Sequence, residues 1–474
     1  MTIGSNHEIE EGYRNFCREA VTITFGAAIP RVPQRFMDMS LAEAVIQRSG
    51  RALGYLPPSM RSRELCLLAM NRNGDLSDVP ESFRDRLMCL TAVRNDGRAL
   101  KHVPLAAKDR DLCLQAVGKT GTALMYVPRK WRDSDLCLRA VRQDGDALQF
   151  VPAARRTLRV CLAAVGACGT ALRDVPEKWR TPALCMTAVR QTGQALRCVP
   201  ETRRSRALCL EALRRDGEAI AYLPRSAQDV GLCLQAVRQN GEALRFVCPA
   251  WRDRAVCVAA VRSCGEALRF VPESLRDAEL CLAAVRQDGE ALEYVPDAMR
   301  DAPLCKVAVT QSDEALRYVP EHYRQREICL IAIRQDGRAL HHVPVSLRDR
   351  ELCMFAVSRH GLAISAVPRE FQGERMYRMA VKGFGDALEF VPDKYRDRTM
   401  CRIAIHRIGR ALVWTPDPVR DRDLCLAAVQ RDSLALRYVP ESNRDRELCL
   451  TALRSGAQGL PYIPDALFGW TQPE

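Results

Sequence analysis

A 24-residue unit repeats along almost the whole sequence, and this repeat restricts the chain to a small number of folds. A proline that follows Val, Leu, Ile or Thr marks each unit. The prolines run from Pro33 to Pro464 in 18 intervals, with one 23-residue step between Pro57 and Pro80. Cys248 takes the place of one proline. Units of this kind stack into one solenoid, so the several separate domains expected from 474 residues are excluded.

Each unit contains signals for two helices, counted here in slots from the repeat proline at slot 0. Asp, Ser or Thr at slot +5 is a typical helix N-cap, and apolar residues at +8, +9, +12 and +13 lie on one helical face. Glycine at +17 predicts that this helix of about ten residues ends in a left-handed cap. Ala at +19, Leu at +20 and an aromatic residue at +22 predict a shorter second helix, which the next proline ends. The residues just after the proline predict one further turn.

These signals predict an all-α fold, an elongated α-solenoid or superhelix of about 18 tandem repeats. A ten-residue helix is unstable alone, and the small Ala at slot +12 allows neighbouring helices to approach closely. We assign residues 1–30 to an N-terminal leader and helical cap, 31–463 to the repeat solenoid and 464–474 to a truncated last repeat. In that last repeat, we expect Phe468 and Trp470 to cover the terminal face.

The unit also resembles a tandem 24-residue bacterial repeat family of unknown function (DUF4116-like), with the pattern ALxYVPxxxRDxxLCLAAVRxDG. One copy of the pattern is carried by Ala291, Leu292, Tyr294, Val295, Pro296, Arg300, Asp301, Leu304 and Cys305. In period the unit is similar to the leucine-rich variant repeat, which alternates an α-helix with a short 3-10 helix. The resemblance implies a helical repeat fold. Proteins of this family often belong to host-associated bacteria, and the family has no catalytic motif that could be carried over to this sequence.

The 21 cysteines are better explained by packing than by metal binding or disulfides. Sixteen occupy slot +9, and no CxxC pair of the kind that binds zinc occurs. Equivalent slots on stacked helices lie about 8–10 Å apart, too far for a disulfide. We therefore interpret them as small buried apolar residues in a reducing compartment, the cytoplasm or, after secretion, a host cytosol. No cofactor is expected.

Arginine dominates the positive charge, with 63 Arg against 8 Lys and a net charge of +13. It recurs at slots +4 and +14, which would form two lines along a stacked array. As a hypothesis, these lines bind an anionic partner through Arg132, Arg156, Arg180, Arg204, Arg252, Arg276, Arg300, Arg324 and Arg348 at slot +4 and Arg190, Arg214, Arg238, Arg262 and Arg286 at slot +14. The alternative is a structural ion-pair ladder, because acids recur at slots +1, +5 and +16.

The sequence favours binding over catalysis. It contains no GxxxxGK[ST], HExxH or GxSxG motif, the N-terminus lacks the pattern of a secretory signal, and no apolar run is long enough to span a membrane. We expect a non-enzymatic scaffold for protein–protein interaction and, from the resemblance, a candidate bacterial effector delivered to a host cell. A nucleic-acid-binding array is the alternative, and an accessory domain of a partner enzyme is a third hypothesis. We interpret the aromatic residues at slot +3 as packing between units and those at slot +22 as part of the core. Neither a membrane nor a small molecule is favoured as the partner.

Overall fold

The computed structural model describes residues 3–469, and this range contains helices and no strands. One long helix precedes the repeats, and each repeat contributes one α-helix. The α-helices are α1 (Ile3–Ile23), α2 (Met39–Arg48), α3 (Arg63–Asn71), α4 (Arg86–Asn95), α5 (Arg110–Lys119), α6 (Ser134–Gln143), α7 (Leu158–Ala167), α8 (Pro182–Gln191), α9 (Arg206–Arg215), α10 (Val230–Gln239), α11 (Arg254–Ser263), α12 (Ala278–Gln287), α13 (Ala302–Gln311), α14 (Arg326–Gln335), α15 (Arg350–Arg359), α16 (Glu374–Gly383), α17 (Arg398–Arg407), α18 (Arg422–Arg431) and α19 (Arg446–Ser455).

A 3-10 helix, usually of six residues, follows each repeat α-helix and is the predicted second helix. These 3-10 helices are Gly50–Tyr55, Leu76–Asp78, Gly97–His102, Gly121–Tyr126, Gly145–Phe150, Gly169–Asp174, Gly193–Cys198, Gly217–Tyr222, Gly241–Phe246, Gly265–Phe270, Gly289–Tyr294, Asp313–Tyr318, Gly337–His342, Gly361–Ala366, Gly385–Phe390, Gly409–Trp414, Ser433–Tyr438 and Ala457–Tyr462. The one shortened helix, Leu76–Asp78, belongs to the 23-residue repeat.

A single 3-10 turn directly after the repeat proline is the predicted extra turn. These turns are Gln34–Phe36, Pro58–Met60, Glu81–Phe83, Leu105–Ala107, Arg129–Trp131, Ala153–Arg155, Glu177–Trp179, Glu201–Arg203, Arg225–Ala227, Pro249–Trp251, Glu273–Leu275, Asp297–Met299, Glu321–Tyr323, Val345–Leu347, Arg369–Phe371, Asp393–Tyr395, Asp417–Val419, Glu441–Asn443 and Asp465–Phe468, and one more, Ile29–Arg31, precedes the first repeat. The order of elements confirms the α-solenoid.

The slots with helical spacing form the core. At slot +5, the Asp277 side chain accepts a hydrogen bond from the Leu280 backbone N–H at 2.9 Å, as an N-cap does. Slots +8, +9, +12 and +13 of the same helix are Leu280, Cys281, Ala284 and Val285, all at most 2% exposed. Neighbouring α-helices pack on each other, and the six-residue 3-10 helices pack on each other beside them. Each repeat therefore buries its apolar face against the next.

The glycine at slot +17 does not form the predicted left-handed cap. Gly145 begins a 3-10 helix, and within residues 3–469 the glycines with positive φ are Gly26 and Gly469. A Cβ added to Gly145 would lie 2.4 Å from the carbonyl oxygen of Ala164, at slot +12 of the next repeat. Glycine is needed because two backbones meet there, and not because the α-helix ends.

The chain divides into two compact units, residues 93–347 in one and residues 1–92 with 348–474 in the other. In the second unit, α1 packs on α19 and on Asp465–Phe468. The rings of Phe16 and Phe468 meet edge to face with centroids 5.2 Å apart, and the Arg31 guanidinium donates to the Ile463 carbonyl at 2.6 Å. We call this contact of α1 and Arg31 with α19 and Asp465–Phe468 the terminal seam.

The terminal seam adds to the role expected of the N-terminal segment. α1 contacts the first repeat, where Arg18 pairs with Asp38 at 2.9 Å. It also contacts the last repeat, which the sequence did not indicate. Phe468 is fully buried, whereas Trp470 lies outside the described residues.

Candidate binding surface

The slot +4 arginines hold successive repeats together through backbone carbonyls. Arg132 donates from Nε to Val127 O at 2.9 Å and from Nη2 to Met125 O at 3.2 Å, both in the preceding repeat, and from Nη1 to Phe150 O of its own repeat at 3.0 Å. Carbonyls at the end of a helix lack partners within it, and a proline that follows cannot donate to them. The guanidinium therefore supplies the donors for two successive 3-10 helices.

We call the arginines of this slot the staple arginines. Their side chains are only partly exposed, 13% for Arg84 and 20% for Arg420, and burial lowers the pKa of Arg132 and Arg348. The staple arginines are Arg61, Arg84, Arg132, Arg156, Arg180, Arg204, Arg252, Arg276, Arg300, Arg324, Arg348, Arg396, Arg420 and Arg444.

The staple arginines do not form the exposed line that was expected at slot +4. The correction applies to nine of the residues predicted to bind an anionic partner: Arg132, Arg156, Arg180, Arg204, Arg252, Arg276, Arg300, Arg324 and Arg348. Hydrogen bonds to backbone carbonyls occupy their donors. Some also pair with an acid at slot +1, as Arg420 does with Asp417 at 2.9 Å, which is the ion pairing that the alternative interpretation expected.

The missing proline at Cys248 has a structural counterpart at slot +4 of the preceding repeat. There Gln228 replaces arginine, and its Nε2 donates to Phe246 O at 3.2 Å. Its Oε1 accepts from the Cys248 backbone N–H at 2.8 Å. A guanidinium has no acceptor, so the amide is the side chain that satisfies both the carbonyl and this additional N–H.

A third arginine slot, +6, carries the main ion pairs between repeats and was missed in the sequence. Arg110 pairs with Asp133 at 2.8 Å and with Asp135 at 3.5 Å, at slots +5 and +7 of the next repeat. A hydrogen bond from Arg110 is the largest cause of the lowered pKa of Asp133. Equivalent pairs are made by Arg63, Arg206, Arg254, Arg398 and Arg422. The signal was arginine at +6 alternating with acids at +5 and +7.

Six of the eight arginines at slot +14 within residues 93–347 form an exposed basic line on α6 and on α8 to α12, and we call these six the rim arginines. They are Arg142, Arg190, Arg214, Arg238, Arg262 and Arg286. Arg214 lies 3.7 Å from Glu211, whereas the side chains of the other five have no hydrogen-bond or ion-pair partner within residues 3–469. They lie in the last turn of each helix, where positive charge is also favourable. Five of the six were predicted binding residues.

A groove with an apolar floor lies between α10 and α11 beside two rim arginines. Its volume is about 790 Å³. It is lined by Leu234, Arg238, Arg254, Ala255, Val258, Ala259, Arg262 and Ser263. Slots +7 and +11 of α11 hold Ala255 and Ala259, whose small side chains leave room for the groove.

The cysteines have the environment of small apolar residues. All sixteen at slot +9 are buried, and all 21 are free thiols. Cys257 donates to the carbonyl of the staple Arg252 at 3.7 Å, and burial raises the pKa of Cys257 to about 11 and that of Cys233 to about 12. Such thiols stay protonated, so they are unsuited to nucleophilic chemistry. Where Tyr377 replaces cysteine, its hydroxyl donates to Gln372 at 2.8 Å.

The aromatic residues fall into two environments. Slot +3 is the expected inter-unit position, since the Trp131 indole donates to Lys108 O of the preceding repeat at 2.9 Å. Slot +22 was expected in the core but is half-exposed, because it lies on the outward side of the 3-10 helix. At Phe246, the guanidinium of Arg245 covers the ring at 4.5 Å.

Within residues 3–469, no group of three or more His, Cys, Asp or Glu residues is arranged to hold a metal ion. His342 lies 3.8 Å from Glu314, and burial lowers its pKa. None of the helices in this range combines the length and apolar character needed to cross a bilayer.

The family comparison agrees with this architecture. The model of the "Domain of unknown function (DUF4116)" matches six segments that together cover half of the chain: residues 109–153, 229–276, 253–300, 277–324, 325–372 and 421–468. No curated protein matches the sequence. The 24-residue period, the repeated matches and the stacked helices lead to one conclusion: the chain belongs to the DUF4116 family, a tandem-repeat family whose function is unknown.

Proposed function

We propose that this protein is a non-enzymatic repeat scaffold that binds a partner protein through its rim arginines. The observation that carries the proposal is that five of the six rim arginines have no partner within residues 3–469, in contrast to the staple and slot +6 arginines. Five exposed guanidinium groups at equivalent positions on α6, α8, α10, α11 and α12 give a partner regularly placed cationic contacts. Arginine suits such contacts because its planar fork binds carboxylates with two hydrogen bonds.

The surroundings of the rim arginines favour a protein over a nucleic acid. Single-stranded nucleic acids bind basic grooves through bases stacked on aromatic rings. The groove beside Arg238 and Arg262 is floored by aliphatic side chains, and the half-exposed ring of Phe270 is covered by the guanidinium of Arg269 at 4.5 Å. An acidic protein segment with apolar residues would match both the charge and the floor.

We further propose that the partner is a host protein, met in a reducing cytosol. The buried free thiols support the reducing compartment. The resemblance to repeats found in host-associated bacteria supports delivery as an effector.

The test is a selection of displayed random 16-residue peptides on the reduced protein, with counter-selection on a charge-reversed variant. That variant carries Glu at five rim positions: Arg142, Arg190, Arg238, Arg262 and Arg286. A matched control carries Glu at five exposed cations outside slot +14: Lys101, Arg129, Lys130, Lys178 and Arg225. We expect acidic peptides that bind the wild type and the control but not the rim variant.

The contrary outcomes are distinct. Binding of 20-nucleotide RNA or DNA that weakens steeply with salt, and is lost in the rim variant, would assign the surface to nucleic acid. If neither peptide binding nor oligonucleotide binding is weaker in the rim variant than in the wild type, the rim arginines are not a binding surface. Circular dichroism of both variants checks that the helices are intact.

A further inference from the structure

We propose that the groove between α10 and α11 receives an acidic amphipathic α-helix of the partner protein. This inference rests on the proposed function and names the chemistry of the partner. The shape of the groove, its charge and the residues on either side of it support the proposal separately.

The shape suits a helix that lies along α10 and α11. Both helices have ten residues, about 15 Å at 1.5 Å per residue. The floor combines half-buried Leu234 and Val258 with small side chains at Ala255 and Ala259. Small residues let a third helix approach closely while the two larger side chains pack against its apolar face.

The charge of the groove differs between its two ends. At the start of α11, Arg254 is already paired with Asp277 and with Glu279 of the next repeat. At the far end, Arg238 and Arg262 have no partner within residues 3–469. An incoming helix therefore needs carboxylates at the end that meets Arg238 and Arg262.

The same asymmetry predicts the direction of the bound helix. Acidic residues are favoured in the first turn of a helix, so that turn should lie at the C-terminal ends of α10 and α11. The partner helix would then run antiparallel to both. Its apolar residues at positions i, i+3, i+4 and i+7 would lie on the groove floor.

The side chains of the neighbouring helices α9 and α12 explain why the partner helix should bind to α10 and α11. On α9, slot +11 is Glu211, and on α12, slot +7 is Glu279. At the equivalent slots, α10 and α11 carry Gln235 and Ala255. Glu211 pairs with the rim Arg214, and Glu279 pairs with Arg254. These carboxylates weaken the attraction of an acidic helix on either side, which favours α10 and α11.

The experiment uses a displayed library of 15-residue helical peptides with the full-length protein. Apolar residues are fixed at i, i+3, i+4, i+7 and i+11, and the other positions draw from Asp, Glu, Lys and Gln. We expect selected peptides to be enriched in Asp and Glu in the first turn. The best peptide and its all-Gln version are then compared by fluorescence anisotropy.

Two variants test the location. Ala259→Phe fills the groove at a slot where α15 already carries Phe355, so the helix tolerates the ring. The pair Arg238→Glu and Arg262→Glu reverses the charge at one end. We expect each change to weaken peptide binding at least tenfold, whereas Arg142→Glu with Arg286→Glu should change it less than threefold.

Lack of enrichment, equal enrichment of Lys-rich peptides, or binding that ignores Ala259→Phe would overturn this inference. Random peptides from the earlier selection separate the two failures. If those peptides depend on the rim arginines but ignore Ala259→Phe, the scaffold proposal stands and the groove is not the site. If neither set depends on the rim arginines, both proposals fail.

Discussion

At the scale of single residues, the repeat proline and the staple arginine are two parts of one contact. The arginine brings donors to the boundary with the next repeat, and the proline brings no competing N–H. The Gln228–Cys248 pair shows a second arrangement of this contact. There the residue in the proline slot has a backbone N–H, and the side chain at slot +4 has an oxygen that accepts from it. The residue at slot +4 and the residue in the next proline slot therefore have to match each other.

This pairing predicts a thermodynamic cycle. Gln228→Arg should leave the Cys248 N–H without an acceptor, and Cys248→Pro should leave the Gln228 oxygen without its donor, each costing about 1–3 kcal/mol. The double variant recreates the common pair and should be more stable than either single variant. Urea unfolding measures the cycle, with Cys248→Ala, which keeps the N–H, as the control. Additive effects of the two changes would contradict the pairing.

Asp313 predicts a dependence on pH. It takes the glycine slot +17, where burial and then the charge of Asp336 raise its pKa. A raised pKa in the folded state means that stability is greatest below the normal carboxyl pKa and is lost as the pH rises through the folded pKa. We expect Asp313→Gly to raise the melting temperature at pH 7, with the gain shrinking as the pH falls to about 4. Glu321→Gln, at an exposed site, is the control; a gain that does not change with pH would contradict this account.

At the scale of the elements, the contact between repeats depends on the glycine at slot +17 and the alanine carbonyl at slot +12. The two belong to neighbouring repeats, and both are buried. The glycine is therefore a packing residue between two helices, although it follows an α-helix in the sequence.

The chain contains a matched pair of glycines for testing this contact. Gly145→Ala places a Cβ 2.4 Å from Ala164 O, and we expect a loss of about 1–3 kcal/mol from overpacking. Gly166→Ala, in α7, meets no atom within 4 Å and should be stabilising by up to about 1 kcal/mol. Chemical denaturation compares them, and equal effects would show that backbone freedom, not packing, selects glycine.

The repeat elements could be predicted from the sequence because their signals are local. The slot +5 caps, the apolar spacing and the proline depend on residues within one unit. The roles of Arg132 and Gly145 could not be predicted, because Arg132 meets the Val127 carbonyl of the preceding repeat and Gly145 meets the Ala164 carbonyl of the next repeat. The candidate site was predicted in part: the slot +14 arginines are exposed, but the α10–α11 groove depends on which small residues two helices bring together.

At the scale of the molecule, the terminal seam joins the two ends of the repeat array within one compact unit. Arg31 donates to Ile463 O, its guanidinium lies 4.7 Å over the Phe468 ring, and Arg35 donates to Gly469 O at 2.7 Å. Cys17 is fully buried beside Phe468, with its thiol 3.7 Å from the Phe468 carbonyl. The stacking face of the last repeat is thereby covered.

The seam predicts a large effect of one aromatic residue. Phe468→Ala should lower the unfolding free energy by about 3–5 kcal/mol, as truncation of a buried ring usually does. The loss should appear as faster amide hydrogen exchange in both α1 and α19. Phe390→Ala, at a site that is 40% exposed, is the matched control. Faster exchange confined to α19 would show that α1 is held by other contacts.

The seam also brings Ile3 and Gly469 within reach of each other inside one compact unit. Gly469 packs beside Tyr13, about ten helical residues or 15 Å from Ile3, so a flexible linker of about eight residues could join them. New termini could then be opened between the exposed Glu177 and Lys178. Such a circular permutant should fold with the same α-helices, because the cut opens only the exposed 3-10 turn Glu177–Trp179 and leaves the contacts between α-helices and the terminal seam in place.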